Sequence, residues 1–232
     1  MDVLSAVSTY FKTGGPFMFI ILAAGVMILA IAVERLWVIG RAAALDSSKF
    51  AGDLETLVGR GDHHGALELA GKVKTPVGKA ARNILAFGTG GQASPEAAAE
   101  DAAVLVLPPL TRRLSHLATL ANVATLLGLL GTIFGLTTAF SAVGAADPSQ
   151  RSAFLAAGIS QALNTTSFGL IIAVPALLCH GYLTAKVERI VEGVDEVAIR
   201  LVRVLKVGAS APAPMPVGTP EVPMAALGAV RR

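Results

Sequence analysis

In the run 158–178, GISQALNTTSFGLIIAVPALL, the side chains of Ser160, Gln161, Asn164, Thr165, Thr166 and Ser167 sit within eight positions of a segment with no formal charge. Hydroxyls and amides donate and accept hydrogen bonds without holding a fixed charge, so inside an apolar helix they can solvate or relay a proton. They cannot by themselves be the carboxylate that binds one. At about 100° per residue, Ser160, Asn164 and Ser167 share one helical stripe. Gln161 and Thr165 lie beside that stripe, and Thr166 faces another way. A sparser set precedes it: Thr125 and Thr132 are seven apart, Asn122 is near them, and Gly128, Gly131 and Gly135 form an adjoining stripe. Glycine at such spacing lets a second helix approach closely, and threonine hydroxyls can bond across the contact. Pro175 projects on the side of the first stripe and frees the carbonyl of Ile171, which then needs a neighbour or water. Any one of these hydroxyls reads most simply as interhelical glue. The whole set, in so few helices, points to a larger oligomer or a water-accessible path.

Other chemistry is sparse. The one acid in a candidate span is Glu34, beside Arg35 in AVERLWVIGR, and the pair reads as an inner-interface ion pair that snorkels to the cytoplasmic surface. His63, His64, His116 and His180 lack metal-ligand spacing, so no metal or cofactor is expected. Cys179 is the sole cysteine, which leaves no disulfide within one chain. No intramembrane nucleophile and base, metal cluster or phosphate loop is visible, and an enzyme is not expected.

Composition dictates what must carry these residues. The chain of 232 residues is 53% hydrophobic and 15% charged, outside the ordinary soluble range. Three apolar runs, 17–39, 114–143 and 154–184, each reach the roughly 20 residues that a hydrocarbon core requires. An all-α membrane protein with three transmembrane helices follows, the second and third long enough to extend into the cytoplasm. Basic residues concentrate in 40–113 and again after 184, whereas the loop 144–153 carries only Arg151. That bias makes 40–113 a cytoplasmic helical segment and 185–207 a cytoplasmic helix, with 1–16 and 144–153 periplasmic. The net charge of +3 is explained by this asymmetry and implies no nucleic-acid partner. Ser94 should cap a helix begun by Pro95 and Glu96, and the LPPL step at 107–110 should break it. The Ala/Pro-rich stretch 208–232 reads as a disordered tail.

Two segments together carry a resemblance. LLGLLGTIFGL in the second span and GISQALNTTSFGLIIAVPAL in the third resemble the signature segments of the MotA/TolQ/ExbB proton channel family, and the ExbB/TolQ branch is the closer. TGGPFMFIIL and ERLWVI look like the start and end of that family's first helix, and the resemblance spans about residues 8 to 206. It implies a pentamer in the bacterial inner membrane, whose second and third helices line a pore holding two copies of an ExbD/TolR-like single-span protein. That partner would bring the essential Asp, with Thr132 and Thr166 close to it. The complex would use the proton motive force to energise transport, envelope maintenance or motility. Two departures stand out: Gln161 occupies the position of the family's third-helix Glu, and Thr125 that of a frequent Pro. A non-conducting membrane scaffold for envelope machinery is the alternative.

Overall fold

The computed structural model describes residues 9–11, 13–88 and 94–209. The expected tail beyond 209, the step at 89–93 and the segment before Thr9 lie outside the described residues. Within them every regular element is an α-helix: α1 (Pro16–Ala42), α2 (Ser47–Gly59), α3 (His63–Lys72), α4 (Pro76–Gly88), α5 (Pro95–Val106), α6 (Pro108–Ala145) and α7 (Arg151–Ala209).

Local chemistry sets the helix starts. Asp46 accepts from the Lys49 amide at 3.2 Å, Asp62 from Gly65 at 2.8 Å and Ser94 from Ala97 at 3.2 Å, so α2, α3 and α5 each have a side-chain N-cap. Prolines stand in the first turn of α1, α5 and α6, where a missing amide costs nothing. Gly15, at φ +76°, makes the turn into α1. The proline pair ends α5 at Val106 and starts α6 at Pro108, with Leu107 as the corner.

Among the described residues three helices are long and apolar enough to cross a membrane: α1, the α5–α6 stretch and α7. With 38 and 59 residues, α6 and α7 run roughly 57 and 88 Å at about 1.5 Å per residue. Both exceed a hydrocarbon core of about 30 Å, so each must project from it. A short connection makes α6 and α7 antiparallel neighbours with the most extensive contact in the molecule, and α1 packs on both.

The far half of α7 has a different role. Leu183, Val187, Ile190, Val194, Val197, Leu201 and Leu205 are buried at spacings of three and four, one apolar face of a helix. Against it sit α2, α4 and α5, whose Leu54, Val77, Ile84 and Ala102 are likewise buried. Arg200 ties the helix to α2 through Glu55 at 3.5 Å, and Lys206 pairs with Glu96 of α5. Leu201 is fully buried there. Leu201→Ala should cost about 2–5 kcal/mol through the cavity it leaves. Thermal unfolding of the purified protein should register this as a clear fall in midpoint.

Candidate functional site

The α6–α7 seam is built from small residues. Ala121, Ala124, Gly128, Gly131, Gly135 and Ala139 recur at spacings of three and four on α6, all buried. They face Gly158, Ala162, Thr165 and Gly169 of α7. A Cβ at Gly169 would sit 2.8 Å from the Ala124 carbonyl, and one at Gly128 only 3.3 Å from the Thr166 Cα. Nothing larger fits, so the two backbones come close enough for short side chains to reach across.

Two hydroxyls do so. Thr132 Oγ1 of α6 lies 2.9 Å from Thr166 Oγ1 of α7, and either can be the donor. Thr132 also reaches the Leu129 carbonyl at 2.8 Å, and Thr166 reaches the Gly128 carbonyl at 3.0 Å. Each hydroxyl has one proton, which allows two complete arrangements. In one, Thr132 donates to Thr166 and Thr166 to Gly128. In the other, Thr166 donates to Thr132 and Thr132 to Leu129. Reversing the pair leaves no proton without an acceptor, the property a proton relay requires. Both side chains are half-buried, accessible from one side of the seam.

Gln161, Asn164 and Thr165 of α7 face a strap formed by the residues before α1, whereas Ser160 is exposed. Thr165, 1% exposed, can donate to the Gly14 carbonyl or the Gln161 carbonyl, each at 2.8 Å. The Asn164 amide donates to Thr13 Oγ1 at 3.4 Å, and the Asn164 carbonyl accepts from the Tyr10 hydroxyl at 2.9 Å. Gln161 packs directly on Gly15, leaving no room for a side chain there. Phe11 stacks edge-on to Phe168 with centroids 5.1 Å apart, closing the strap on its apolar side. Tyr10, Thr13 and Gly14 are contributors that sequence reasoning missed. Their only signal was the TGGP turn, which says that the chain bends and not what it bends onto.

Other singled-out residues stand apart from the pair. Thr125 bonds back to the Ala121 carbonyl of its own helix at 3.2 Å, and Ser167 is exposed. Pro175 lies on an apolar groove between α1 and α7, opposite Gly25 and Leu29, and α7 continues through it unbroken. Glu34 accepts from Arg35 at 3.4 Å and also pairs with Arg113 of α6. Arg35 does not snorkel outward: it is 6% exposed and donates to the Pro109 carbonyl at 3.2 Å. The bend at the two prolines brings the first turn of α6 against α1, offering that carbonyl as an inward partner. Among the described residues no cluster of His, Cys, Asp or Glu could hold a metal.

Fold and seam define a helical membrane protein whose spanning helices are joined by hydroxyls at near-backbone contact. Residues 76–196 match the MotA/TolQ/ExbB proton channel family, and the chain belongs to it. It is 28% identical over 84% of its length to a putative biopolymer transport protein ExbB homolog of Methanothermobacter thermautotrophicus, of which the match covers 69%. Over 35% of its length it is 37% identical to the Tol-Pal system protein TolQ of Haemophilus influenzae, covering 35% of that protein. The biopolymer transport protein ExbB of Aquifex aeolicus is 36% identical over 34% of the chain and 53% of its own length. These relatives put the chain on the ExbB/TolQ branch.

The seam yields a direct test. A methyl at Gly131 would run into the Thr165 side-chain methyl, so Gly131→Ala should destabilise by about 1–3 kcal/mol through overpacking. Adding Thr165→Ser, which removes the opposing methyl and keeps the hydroxyl, should restore part of the loss, because the Thr165 Cβ would still lie 2.9 Å from the new methyl. The thermal midpoints of the single and double variants check this.

Proposed function

We propose that this chain is the proton-channel subunit of an inner-membrane, proton-motive-force-driven motor complex of the ExbB/TolQ kind. It would be a homopentamer around two copies of an ExbD/TolR-like single-span protein bearing a transmembrane Asp. The single observation that carries the reading is the reversible hydroxyl pair of Thr132 and Thr166, 2.9 Å apart across the two longest helices. A proton can pass along such a pair while both hydroxyls stay neutral. A place for it to bind must come from elsewhere. Glu34 is held by two arginines at the end of α1, and Gln161, at the family's Glu position, cannot titrate. The partner's carboxylate would therefore carry the titration alone.

Thr132 and Thr166 form the centre of the path; Thr165, Gln161 and Asn164 are engaged by the strap before α1, and Thr125 and Ser167 stand apart from the pair, so these five would hold the helices in place and not carry the proton. The small-residue stripes of Gly128, Gly131 and Gly135 keep the two walls together. Proton entry would neutralise the partner's Asp, letting its helix turn relative to the ring and transmit work to the envelope. Each charge crossing about 100 mV releases about 2.3 kcal/mol, comparable to the coupling energy of a two-state interface. With the N-terminus periplasmic and 40–113 and 185–207 cytoplasmic, the far half of α7 and its partner helices would form a base in the cytoplasm. The relatives' names speak for energised biopolymer transport or Tol-Pal function as the process served.

A second reading, a non-conducting scaffold, has its own support: every hydroxyl at the seam already finds a backbone carbonyl, as glue would. Flux separates the two. In proteoliposomes holding the chain with its single-span partner, Thr132→Val and Thr166→Val should each lower proton flux about a hundredfold, the low end for losing one positioned proton-transfer group. The native mass of the assembly should stay unchanged. Unaltered flux would remove both residues from the path and favour the scaffold. Native mass of the complex from its own membranes should give five copies with two of the small partner.

A further inference from the structure

Where the apolar run of α1 ends, a cavity of about 560 Å³ opens between α1, the start of α4 and the α5–α6 corner. Four cationic side chains line it, Arg35, Arg41, Lys74 and Lys79, and no acidic one does. Arg35 is buried, and its Nε has no hydrogen-bond partner. A buried guanidinium with an idle donor is costly unless charge of the opposite sign is at hand. Glu34 supplies only part of it, since the same carboxylate oxygen also serves Arg113. The 13-residue α4 begins at the cavity wall, adding the partial positive charge of a helix N-terminus.

The surroundings say which anion belongs here. Trp37 is 64% exposed on α1, and the Arg41 guanidinium lies 4.8 Å from its ring centroid, an arrangement suited to the membrane–water boundary. Leu105, which lines the cavity, is 64% exposed, and Val104 beside it is 71% exposed. A free phosphate would leave that apolar rim in water. A lipid would cover it.

We propose that this cavity holds the phosphate of an anionic phospholipid headgroup, with the acyl chains lying along the exposed apolar surface of α1 and α5. Arg35 would meet the phosphate from the floor, and Lys74, Lys79 and Arg41 from the rim. The site lies apart from the Thr132–Thr166 seam and serves neither proton transfer nor partner binding. It would fix the depth of the helices in the bilayer and join α1 to the cytoplasmic helices through a bound lipid.

The test is native mass spectrometry of the intact assembly in neutral detergent, titrated with dioleoyl phosphatidylglycerol or dioleoyl phosphatidylcholine. Each basic side chain near a headgroup is worth about 1 kcal/mol, so the two lysines together imply a preference for phosphatidylglycerol of roughly ten- to thirtyfold. Lys74→Gln with Lys79→Gln, both exposed positions, should remove the lysines' share of the preference, a roughly ten- to thirtyfold fall, and leave only what Arg35 and Arg41 supply, at unchanged assembly mass and proton flux. Arg41→Gln, also exposed, should lower the preference by a smaller factor and checks the same site by a second route. Inorganic phosphate at the same concentration should not displace the lipid. Equal retention of the two lipids by the wild type, or a preference untouched by these substitutions, would overturn the proposal. Displacement by inorganic phosphate would also overturn it, making this a site for a soluble anion.

Discussion

Contact between α6 and α7 at nearly backbone distance is the constraint on which the rest depends. Glycine and alanine at spacings of three and four bring the helices together, and only at that separation do the Thr132 and Thr166 hydroxyls meet. In a bilayer the apolar effect gives helices little reason to prefer one another over lipid. Close van der Waals packing and a few crossing hydrogen bonds must hold them. The same stripe that stabilises the pair therefore also sets the polar geometry. From Leu183 on the rule changes. There α7 presents leucine, valine and isoleucine to α2, α4 and α5, and burial from water supplies the drive. One helix thus obeys two packing regimes along its length, and the change from Ala/Gly to Leu/Val/Ile near Leu183 marks the passage between them.

Hydrogen-bond satisfaction explains the distribution of polar groups. A hydroxyl in an apolar helix finds a backbone carbonyl of its own or a neighbouring helix, so its burial is cheap. A carboxylate has no such refuge. Glu34, the one acid in a spanning segment among the described residues, stands at the end of α1 between two arginines. The strap of Tyr10, Thr13 and Gly14 follows the same economy, supplying acceptors to Thr165 and Asn164. Arg35 is the exception. Among the described residues its Nε is the one buried side-chain nitrogen or oxygen without a hydrogen-bond partner, and the residue lines a cavity with three more cations.

Arg35 also links the two halves of the molecule. Its bond to the Pro109 carbonyl fixes the corner between α5 and α6, and through that corner the helices packed on the far half of α7 are held to α1. A movement of α6 relative to α1 must therefore disturb this contact and the ion pair with Arg113. The α6–α7 seam and the helices packed on the far half of α7 are mechanically connected at this corner.

Much of this was legible in the residues. Length and hydropathy fixed the three spanning helices, because a bilayer tolerates no unsatisfied backbone. Ser94 and the proline pair declared helix boundaries, since caps and missing amides act within a few residues of the chain. The glycine stripe of α6 announced a close helix contact by its spacing. The partners of each polar group were not legible. Periodicity assigns a residue to a face of its own helix and says nothing of the rotation of the neighbour, so the spacing of Thr166, off the main stripe of α7, gave no sign that it would meet Thr132, and only the family resemblance set the two near one another. Nor could the order of residues show that Arg35 turns inward to Pro109, or that Lys74 and Lys79, some forty positions on, would gather beside it. Sequence alone determined which elements form and where they stop, for those depend on local backbone chemistry and on total apolar length. Only tertiary structure decided which polar groups share a proton and which cations share a cavity, because those depend on distances between side chains far apart along the chain.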